Sequence, residues 1–352
     1  MTVEVVVDLP VVERNIRRFH ALVKDAAPAL RAHVKGHRTV EIARRQIEAG
    51  AVGIVAQTTS EATPYLQAGI GDFVFARPVM DAWRLPNMAR FAARVTRETA
   101  GTGSVQAHVT DTATVDVPAE AARAEEVEIG LRIDVAFGAD RGVAPEGVDA
   151  LARSIDRTPG VRLSGVTGYS GPKNMKEVHD WSNSGRRMAT VLVELAEKLR
   201  TDGMECPTVA VSGTVNAVAA LEVTGVTEVC AGSYALYDSG LASVGMCDFS
   251  DVAIKIRTEV LEVTDGQAIT EADEMLGNAY QEWDRTTVAT RDDGNTWPAD
   301  GTRPGDVVEL LPAHTCPLMP AVESMTAVGA TRRTWTPVCT PEQFAPTPEG
   351  GR

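Results

Sequence analysis

Leu30-Arg31-Ala32-His33-Val34-Lys35-Gly36-His37-Arg38 is the stretch around which this chain is organised. It begins with the character of a strand, becomes basic within a few residues, and is followed by a strong helical pattern. Lys35 is therefore predicted to lie at the C-terminal end of a strand. In an α/β barrel the C-terminal strand ends carry the chemistry, which makes Lys35 a candidate catalytic amine. The alternative is a basic loop between a strand and a helix, with no chemical role.

Short apolar strands alternate with amphipathic helices along the first two thirds of the chain. The predicted strands are 29–34, 52–56, 72–76, 104–109, 127–134, 161–168, 207–212 and 226–231. Helices are predicted at 9–24, before the first of these strands, and between strands at positions such as 40–49, 60–68, 83–95 and 186–201. Eight repeats of strand and helix predict a (β/α)8, TIM-like barrel of the α/β class. A doubly wound open sheet is the competing interpretation, which strand count alone does not exclude.

The chain changes character after about residue 240, where β-branched residues and polar turns predominate. Strands are predicted at 253–263, 286–290 and 305–311, which indicates a second, mostly β domain. The early strand 4–8 has no place in an eight-stranded barrel that starts at residue 29, so we expect it to pair with this second domain. The predicted organisation is a barrel over 9–240, a β domain made of 1–8 plus 241–340, and a disordered Pro- and Gly-rich tail over 341–352.

Composition and net charge limit the classes of protein to which this chain could belong. The 352 residues carry a net charge of −14, which disfavours nonspecific binding to nucleic acid or to a membrane surface. No window approaches the roughly 18 consecutive apolar residues of a membrane span, and nothing at the N-terminus resembles a secretory signal, so a cytoplasmic location is expected. The five cysteines are widely spaced and include no CxxC pair. They are predicted to be mostly reduced and structural.

Two small loops follow the seventh and eighth predicted barrel strands. They are Ser212-Gly213-Thr214 and Gly232-Ser233-Tyr234. Glycine lets backbone N–H groups approach an anion closely, and barrel phosphate sites are frequently built from these two loops. Taken singly, each loop also has the composition of an ordinary turn or helix cap. Their joint placement predicts a phosphate site.

A possible metal pair occurs in Pro312-Ala313-His314-Thr315-Cys316-Pro317, at the predicted end of the last strand. Residues two apart on a strand point to the same face, so His314 and Cys316 are predicted to ligate one ion. A nitrogen and sulfur pair suits zinc. The alternative is a buried histidine beside an inert thiol.

Together, these features resemble the fold-type III pyridoxal-phosphate enzymes, the alanine-racemase-like barrels. Within that group the match is to the D-threonine aldolase and D-serine dehydratase family. That family carries a P-H-x-K-T-H-K segment with the Schiff-base lysine, which here is Ala32-His33-Val34-Lys35-Gly36-His37-Arg38. The following residues 41–51 are also similar, and the late H-x-C or H-x-D metal pair of the family corresponds to His314 and Cys316. The resemblance extends from about residue 3 to residue 317.

The resemblance implies pyridoxal 5'-phosphate bound to Lys35, a divalent metal on His314 and Cys316, a β-hydroxy-D-amino acid substrate and a homodimer. The implied cofactor contacts are Lys35, His33, Arg141, Tyr169, Ser212, Gly213, Thr214, Gly232, Ser233 and Tyr234.

Four segments depart from the family pattern. Gly36 replaces a threonine, the loop 134–143 is one residue longer, Leu318-Met319-Pro320 replaces T-V-N, and a G-Y-E-G-H loop becomes Gly168-Tyr169-Ser170-Gly171-Pro172 without its histidine. The lost histidine slightly favours a dehydratase over a retro-aldolase. An amino-acid racemase and a non-catalytic cofactor-binding protein are the further alternatives.

Overall fold

The computed structural model describes residues 3–26, 28–76, 84–137, 142–170, 181–264, 267–272 and 301–338. Eight parallel strands close into a barrel in the order of the chain, from β2 to β9. They are β2 (Ala29–His33), β3 (Ile54–Ala56), β4 (Asp72–Phe75), β5 (Ser104–Val109), β6 (Ile129–Val135), β7 (Val161–Tyr169), β8 (Thr208–Ser212) and β9 (Glu228–Ala231). Each coincides with a predicted strand to within two residues at either end. The predicted barrel is confirmed, and the open sheet is excluded because β9 pairs with β2.

Helices connect the strands of the barrel. In the described residues they are α1 (Leu9–Ala26), α2 (Val40–Glu48), α3 (Thr59–Gln67), α4 (Arg84–Glu98), α5 (Asp116–Ala124), α6 (Val148–Asp156), α7 (Trp181–Thr201), α8 (Thr214–Ala220), α9 (Ser239–Ser243) and α10 (Thr315–Leu318). Helix α1 shows why the helices could be predicted from the spacing of apolar residues. Its buried residues include Val12, Ile16, Phe19 and Val23, spaced three or four apart on one face. The predicted helix 186–201 begins five residues earlier than expected.

A separate sheet is built from both ends of the chain. It contains β1 (Glu4–Asp8), β10 (Ile254–Thr264), β11 (Gln267–Thr270), β12 (Val307–Leu310), β13 (Met325–Val328) and β14 (Arg332–Trp335). Strand β1 runs antiparallel to β10 and parallel to β13. The predicted pairing of the first strand with the C-terminal part of the chain is therefore confirmed. The predicted strand 286–290 and the tail 341–352 lie outside the described residues.

The interior of the barrel contains a buried charge network. The Glu228 carboxylate accepts hydrogen bonds from Arg132 and from Arg31, whose Nε lies 3.1 Å from Glu228 Oε2. Arg31 also pairs with Asp72 at 2.5 Å. Burial raises the pKa of Glu228, but the two guanidinium groups outweigh burial and lower it to about 2. The network contains two cations, Arg31 and Arg132, and two anions, Asp72 and Glu228. Its charges cancel, so the barrel holds no net charge in this network.

We expect Glu228→Gln to destabilise the fold by about 3–5 kcal/mol, because it leaves two buried guanidinium groups without their shared counter-charge. Since the folded-state pKa of Glu228 lies below the ordinary value of 4.5, its contribution is present above about pH 4.5 and is lost as the pH falls toward 2. Chemical denaturation at pH 7 measures the difference. The matched control is Glu222→Gln, whose pair with Arg186 is exposed to solvent and should contribute little to stability. Equal losses from the two substitutions would contradict this account.

Candidate active site

Lys35 lies on a single tight turn at the mouth of the barrel. Strand β2 ends at His33, and Val34–Gly36 form one turn of 3-10 helix. The Lys35 N–H faces His33 Nδ1 at 3.4 Å, and the Arg38 N–H returns to the Val34 carbonyl at 2.7 Å. The Lys35 Nζ lies 5.4 Å from the centroid of the Tyr169 ring at the end of β7. The turn thus presents an amine to an aromatic face across the barrel opening.

A chain of buried hydrogen bonds begins at His37, directly after this turn, and ends at His20. His37 Nδ1 accepts the Thr39 N–H at 3.1 Å, so its proton lies on Nε2, which donates to Gln46 at 3.1 Å. Gln46 Nε2 donates to the Tyr234 hydroxyl at 2.9 Å, and that hydroxyl lies 2.9 Å from His20 Nε2. Burial lowers the pKa of His37 to about 4 and also lowers that of His20. Both imidazoles are therefore neutral at pH 7 and act as fixed structural links.

Tyr234 was an implied cofactor contact, but its side chain lies in the core. Its side chain is fully buried, its hydroxyl is bound to Gln46 and His20, and its ring stacks on Phe19 with centroids 4.2 Å apart. Only its backbone N–H remains for a ligand at the loop after β9. Sequence reasoning placed Tyr234 in a small hydroxyl-bearing loop, but an aromatic ring next to apolar helix positions is held by the core instead.

The loop after β8 also differs in detail from the expectation. The Gly213 N–H donates to the Cys230 carbonyl at 2.8 Å, so it is not available to a phosphate. Gly213 is needed for its backbone, because its φ of +99° favours glycine. Thr214 then starts α8, and its buried Oγ1 has no hydrogen-bond partner within the described residues. The polar atom without a partner is therefore on Thr214, one residue further on.

Three segments converge at Gly36. A Cβ placed on Gly36 would lie 3.6 Å from Thr315 Oγ1 and 3.7 Å from both Gly232 and the Ser233 nitrogen. A Cβ on Gly232 would overlap the carbonyl oxygen of His33. The lysine turn, the loop after β9 and the segment with His314 and Cys316 thus meet at one point of the barrel mouth. The glycines at these positions permit that close approach.

His314 and Cys316 lie at the start of a helix. The prediction that they share one face of a strand is therefore wrong. Strand β12 ends at Leu310, and Pro312 cannot donate a ladder hydrogen bond. His314 is the N-cap of α10, and Cys316 lies in its first turn. Their side chains still interact electrostatically, and each shifts the pKa of the other.

The charges around this pair favour a thiolate. Burial raises the pKa of Cys316, but His314 and Lys35 outweigh burial and lower it to about 7. Burial lowers the pKa of His314, while Cys316 and Asp238 raise it well above its usual value. The Lys35 amine therefore acts electrostatically on the Cys316 sulfur, which indicates that Lys35 and the His314–Cys316 segment belong to one site.

Two acidic residues of this site were missed by sequence reasoning. Asp238, immediately before α9, lies 3.0 Å from His314 Nδ1. Glu61, at the start of α3, is completely buried, and its Oε1 lies 3.9 Å from Arg38 Nε. Burial raises the pKa of Glu61, and the nearby Gln57 N–H, Arg38 and Lys35 oppose that shift. Neither acid belongs to a motif that the sequence analysis identified, and no local signal indicates their distant partners.

Some predicted features could not be located. Arg141 and the residues 171–172 of the loop after β7 lie outside the described residues. Across the described ranges, no group of three or more His, Cys, Asp or Glu side chains is arranged around a common metal position. Within the same ranges, none of the helices has the length and apolar character needed to cross a membrane.

A closed parallel barrel with a lysine after its first strand, joined to a sheet made from both chain ends, defines an alanine-racemase-like protein. The chain belongs to the family described as alanine racemase, N-terminal domain, which it matches over residues 7–239. This confirms the predicted resemblance at the level of the family.

Named relatives lie within the predicted group. The chain is 29% identical to a D-threo-3-hydroxyaspartate dehydratase of Delftia sp., covering 94% of this chain and 95% of the relative. It is 31% identical to a D-threonine aldolase of Arthrobacter sp., covering 67% of this chain and 61% of the relative. A solved cysteine-to-alanine variant of D-threo-3-hydroxyaspartate dehydratase, in the metal-free form, is 26% identical with a TM-score of 0.81, and the match covers 97% of this chain and 98% of that one.

Proposed function

We propose that this protein is a pyridoxal-phosphate-dependent, metal-assisted lyase that acts on β-hydroxy-D-amino acids. The observation that carries the proposal is the meeting of the Lys35 turn, the loop after β9 and the His314–Cys316 segment at one barrel mouth. A site with an amine for the cofactor and a nitrogen and sulfur pair for a metal suits a substrate that has both an amino group and a neighbouring hydroxyl.

The residues present fit the cofactor. Lys35 offers an amine beside the Tyr169 ring, and Thr214 offers a buried hydroxyl without a partner at the start of α8. Gly232 lets the loop after β9 approach closely, with the Ser233 N–H beside it. When bound, pyridoxal phosphate supplies an electron sink for the substrate Cα. In this proposal Lys35 would hold the cofactor, and its amine would also be the base for the Cα proton.

The donor set also fits a metal. Imidazole nitrogen and thiolate together suit zinc, and the lowered pKa of Cys316 favours the thiolate. Two protein ligands leave positions for substrate oxygen and water. The metal would act as a Lewis acid on the β-hydroxyl, which is a poor leaving group.

Dehydration is slightly favoured over retro-aldol cleavage. The segment Gly168-Tyr169-Ser170-Gly171-Pro172 lacks the histidine that the resemblance would assign as a base for the substrate hydroxyl. The dehydratase relative also matches along nearly its whole length. Retro-aldol cleavage is the second candidate, and the 31% identity to a D-threonine aldolase supports it.

A product assay tests the proposal. Purified holoenzyme is offered D-threo-3-hydroxyaspartate, D-serine and D-threonine in turn. A dehydratase releases a 2-oxo acid and ammonia, whereas an aldolase releases glycine and an aldehyde. Recovery of the substrate with its configuration inverted at Cα, with neither product set, would contradict the lyase and indicate a racemase.

We expect Gly232→Ala to weaken pyridoxal-phosphate binding by roughly 10- to 100-fold, equivalent to one charge-assisted hydrogen bond of about 1.5–3 kcal/mol. The added Cβ would overlap the His33 carbonyl oxygen, so the loop after β9 must move away from the lysine turn. Fluorescence titration of apoprotein with the cofactor measures the change. The control is Gly50→Ala, where φ is +108° but no atom lies within 4 Å of the added Cβ. Unchanged affinity in Gly232→Ala would remove this loop from the cofactor site.

A further inference from the structure

The Asp238 carboxylate contacts the proposed metal-binding segment at two points. Its side chain is only 1% exposed. Oδ1 accepts the Leu241 N–H at 2.9 Å, while Oδ2 lies 3.0 Å from His314 Nδ1 and 3.3 Å from the Thr315 nitrogen. One oxygen therefore caps helix α9, and the other binds a segment that is 76 residues away in sequence.

We propose that Asp238 is a positioning residue, which fixes the ring and the tautomer of His314 so that Nε2 is directed to the metal. This inference rests on the proposed function and deepens its metal site. The Asp238 carboxylate accepts the hydrogen bond of His314 Nδ1, so a His314 ring that binds a metal through Nε2 keeps its proton on Nδ1. The lone pair that a metal requires is then on Nε2. Histidine ligands in metal sites commonly have a carboxylate in this position, and removing it typically costs 10- to 100-fold in metal affinity.

Helix capping alone would not explain this arrangement. A cap uses one side-chain oxygen, and Oδ1 already serves that purpose at Leu241. The second oxygen bonds to His314 and Thr315, which belong to the C-terminal part of the chain. A carboxylate with both oxygens committed in this way links the barrel to the metal-binding segment.

The backbone around Asp238 does not depend on its carboxylate. The Ser239 N–H donates to the Pro312 carbonyl at 2.9 Å, and the Gly240 N–H donates to the Ala313 carbonyl at 3.1 Å. These bonds hold the two segments together independently of the side chain at 238. Substitutions that keep a capping oxygen should therefore preserve the fold.

Asp238→Asn is the sharpest test. Asparagine is an equally good N-cap, but if its oxygen stays on Leu241 its amide group faces His314 and cannot accept the Nδ1 proton. We expect the zinc dissociation constant of the holoenzyme to rise 10- to 100-fold, measured by competition with a chromogenic chelator. The visible absorbance of the Lys35-bound cofactor should not change, and excess zinc should restore turnover. Asp238→Ser, which retains a cap oxygen and removes the second one, should lose zinc affinity by a similar factor.

The control is Asp8→Asn, an exposed cap whose Oδ1 accepts the Val11 N–H at 3.1 Å. It should keep the zinc affinity of the wild type. The inference is overturned if Asp238→Asn and Asp238→Ser both bind zinc as the wild type does, a result that leaves the proposed function intact. If the wild type itself binds no zinc, the metal site of the proposed function fails, and the role of Asp238 fails with it.

Discussion

Lys35→Ala should abolish turnover, with a loss of at least about 10⁴-fold, because one side chain both holds the cofactor and serves as the base. The variant should also lose the visible absorbance of the lysine-bound cofactor. The turn that carries Lys35 is fixed by backbone hydrogen bonds to Val34 and by the buried chain through His37, so the fold should remain. Loss of activity would then report chemistry and not unfolding.

Borohydride reduction gives the direct measurement for this prediction. In the wild type it should attach the cofactor irreversibly to the peptide that contains Lys35, as located by mass spectrometry. Lys198→Ala is the control, since the Lys198 amine lies on the surface and pairs with Asp202 at 2.7 Å. A reducible adduct that persists in Lys35→Ala would assign the cofactor to another amine and remove Lys35 from its role.

The barrel could be predicted because each of its strands is a short apolar run that ends in a polar or glycine-containing loop. The pairing of β1 followed from counting, since an eight-stranded barrel that starts at Ala29 leaves 4–8 without a partner. Strands β13 and β14 were not predicted. They have only four residues each, and β14 is Arg332–Trp335, whose first three residues are exposed. Strand β13 forms on the edge of β1, and β14 then forms on the edge of β13, which is a tertiary effect.

The candidate site could be proposed from the sequence only where its chemistry is local. Lys35 and the pair His314 and Cys316 occur in short motifs, whereas Asp238 is recognised only when the chain brings it to His314. The same limit explains the correction at Tyr234. Its neighbours in sequence resemble a phosphate loop, but its ring meets Phe19 in the core. The prediction that His314 and Cys316 lie on a strand was wrong, because Pro312 cannot continue the ladder of β12 and His314 instead caps α10.

Removing the metal should abolish turnover while leaving the absorbance of the lysine-bound cofactor nearly unchanged, because different residues hold the two groups. We expect exhaustive chelation to reduce turnover by about 10²–10³-fold, corresponding to several kcal/mol of Lewis-acid stabilisation of the leaving hydroxyl. Cys316→Ser should have an equal effect, since a serine hydroxyl is a much poorer zinc ligand than a thiolate. Added zinc should restore the chelated wild type and should not restore Cys316→Ser.

Cys206→Ala provides the matched control for the loss of a thiol. Cys206 is buried in the barrel core, and its replacement should leave zinc binding and turnover unchanged. If activity on β-hydroxy-D-amino acids survives both chelation and Cys316→Ser, the metal-assisted reaction is wrong. A racemase then becomes the better explanation if the surviving activity inverts Cα and releases neither set of lyase products. If activity is lost in both and zinc rescues only the wild type, the metal acts at the hydroxyl. The products, a 2-oxo acid with ammonia or glycine with an aldehyde, then decide whether the carbon–oxygen or the carbon–carbon bond breaks.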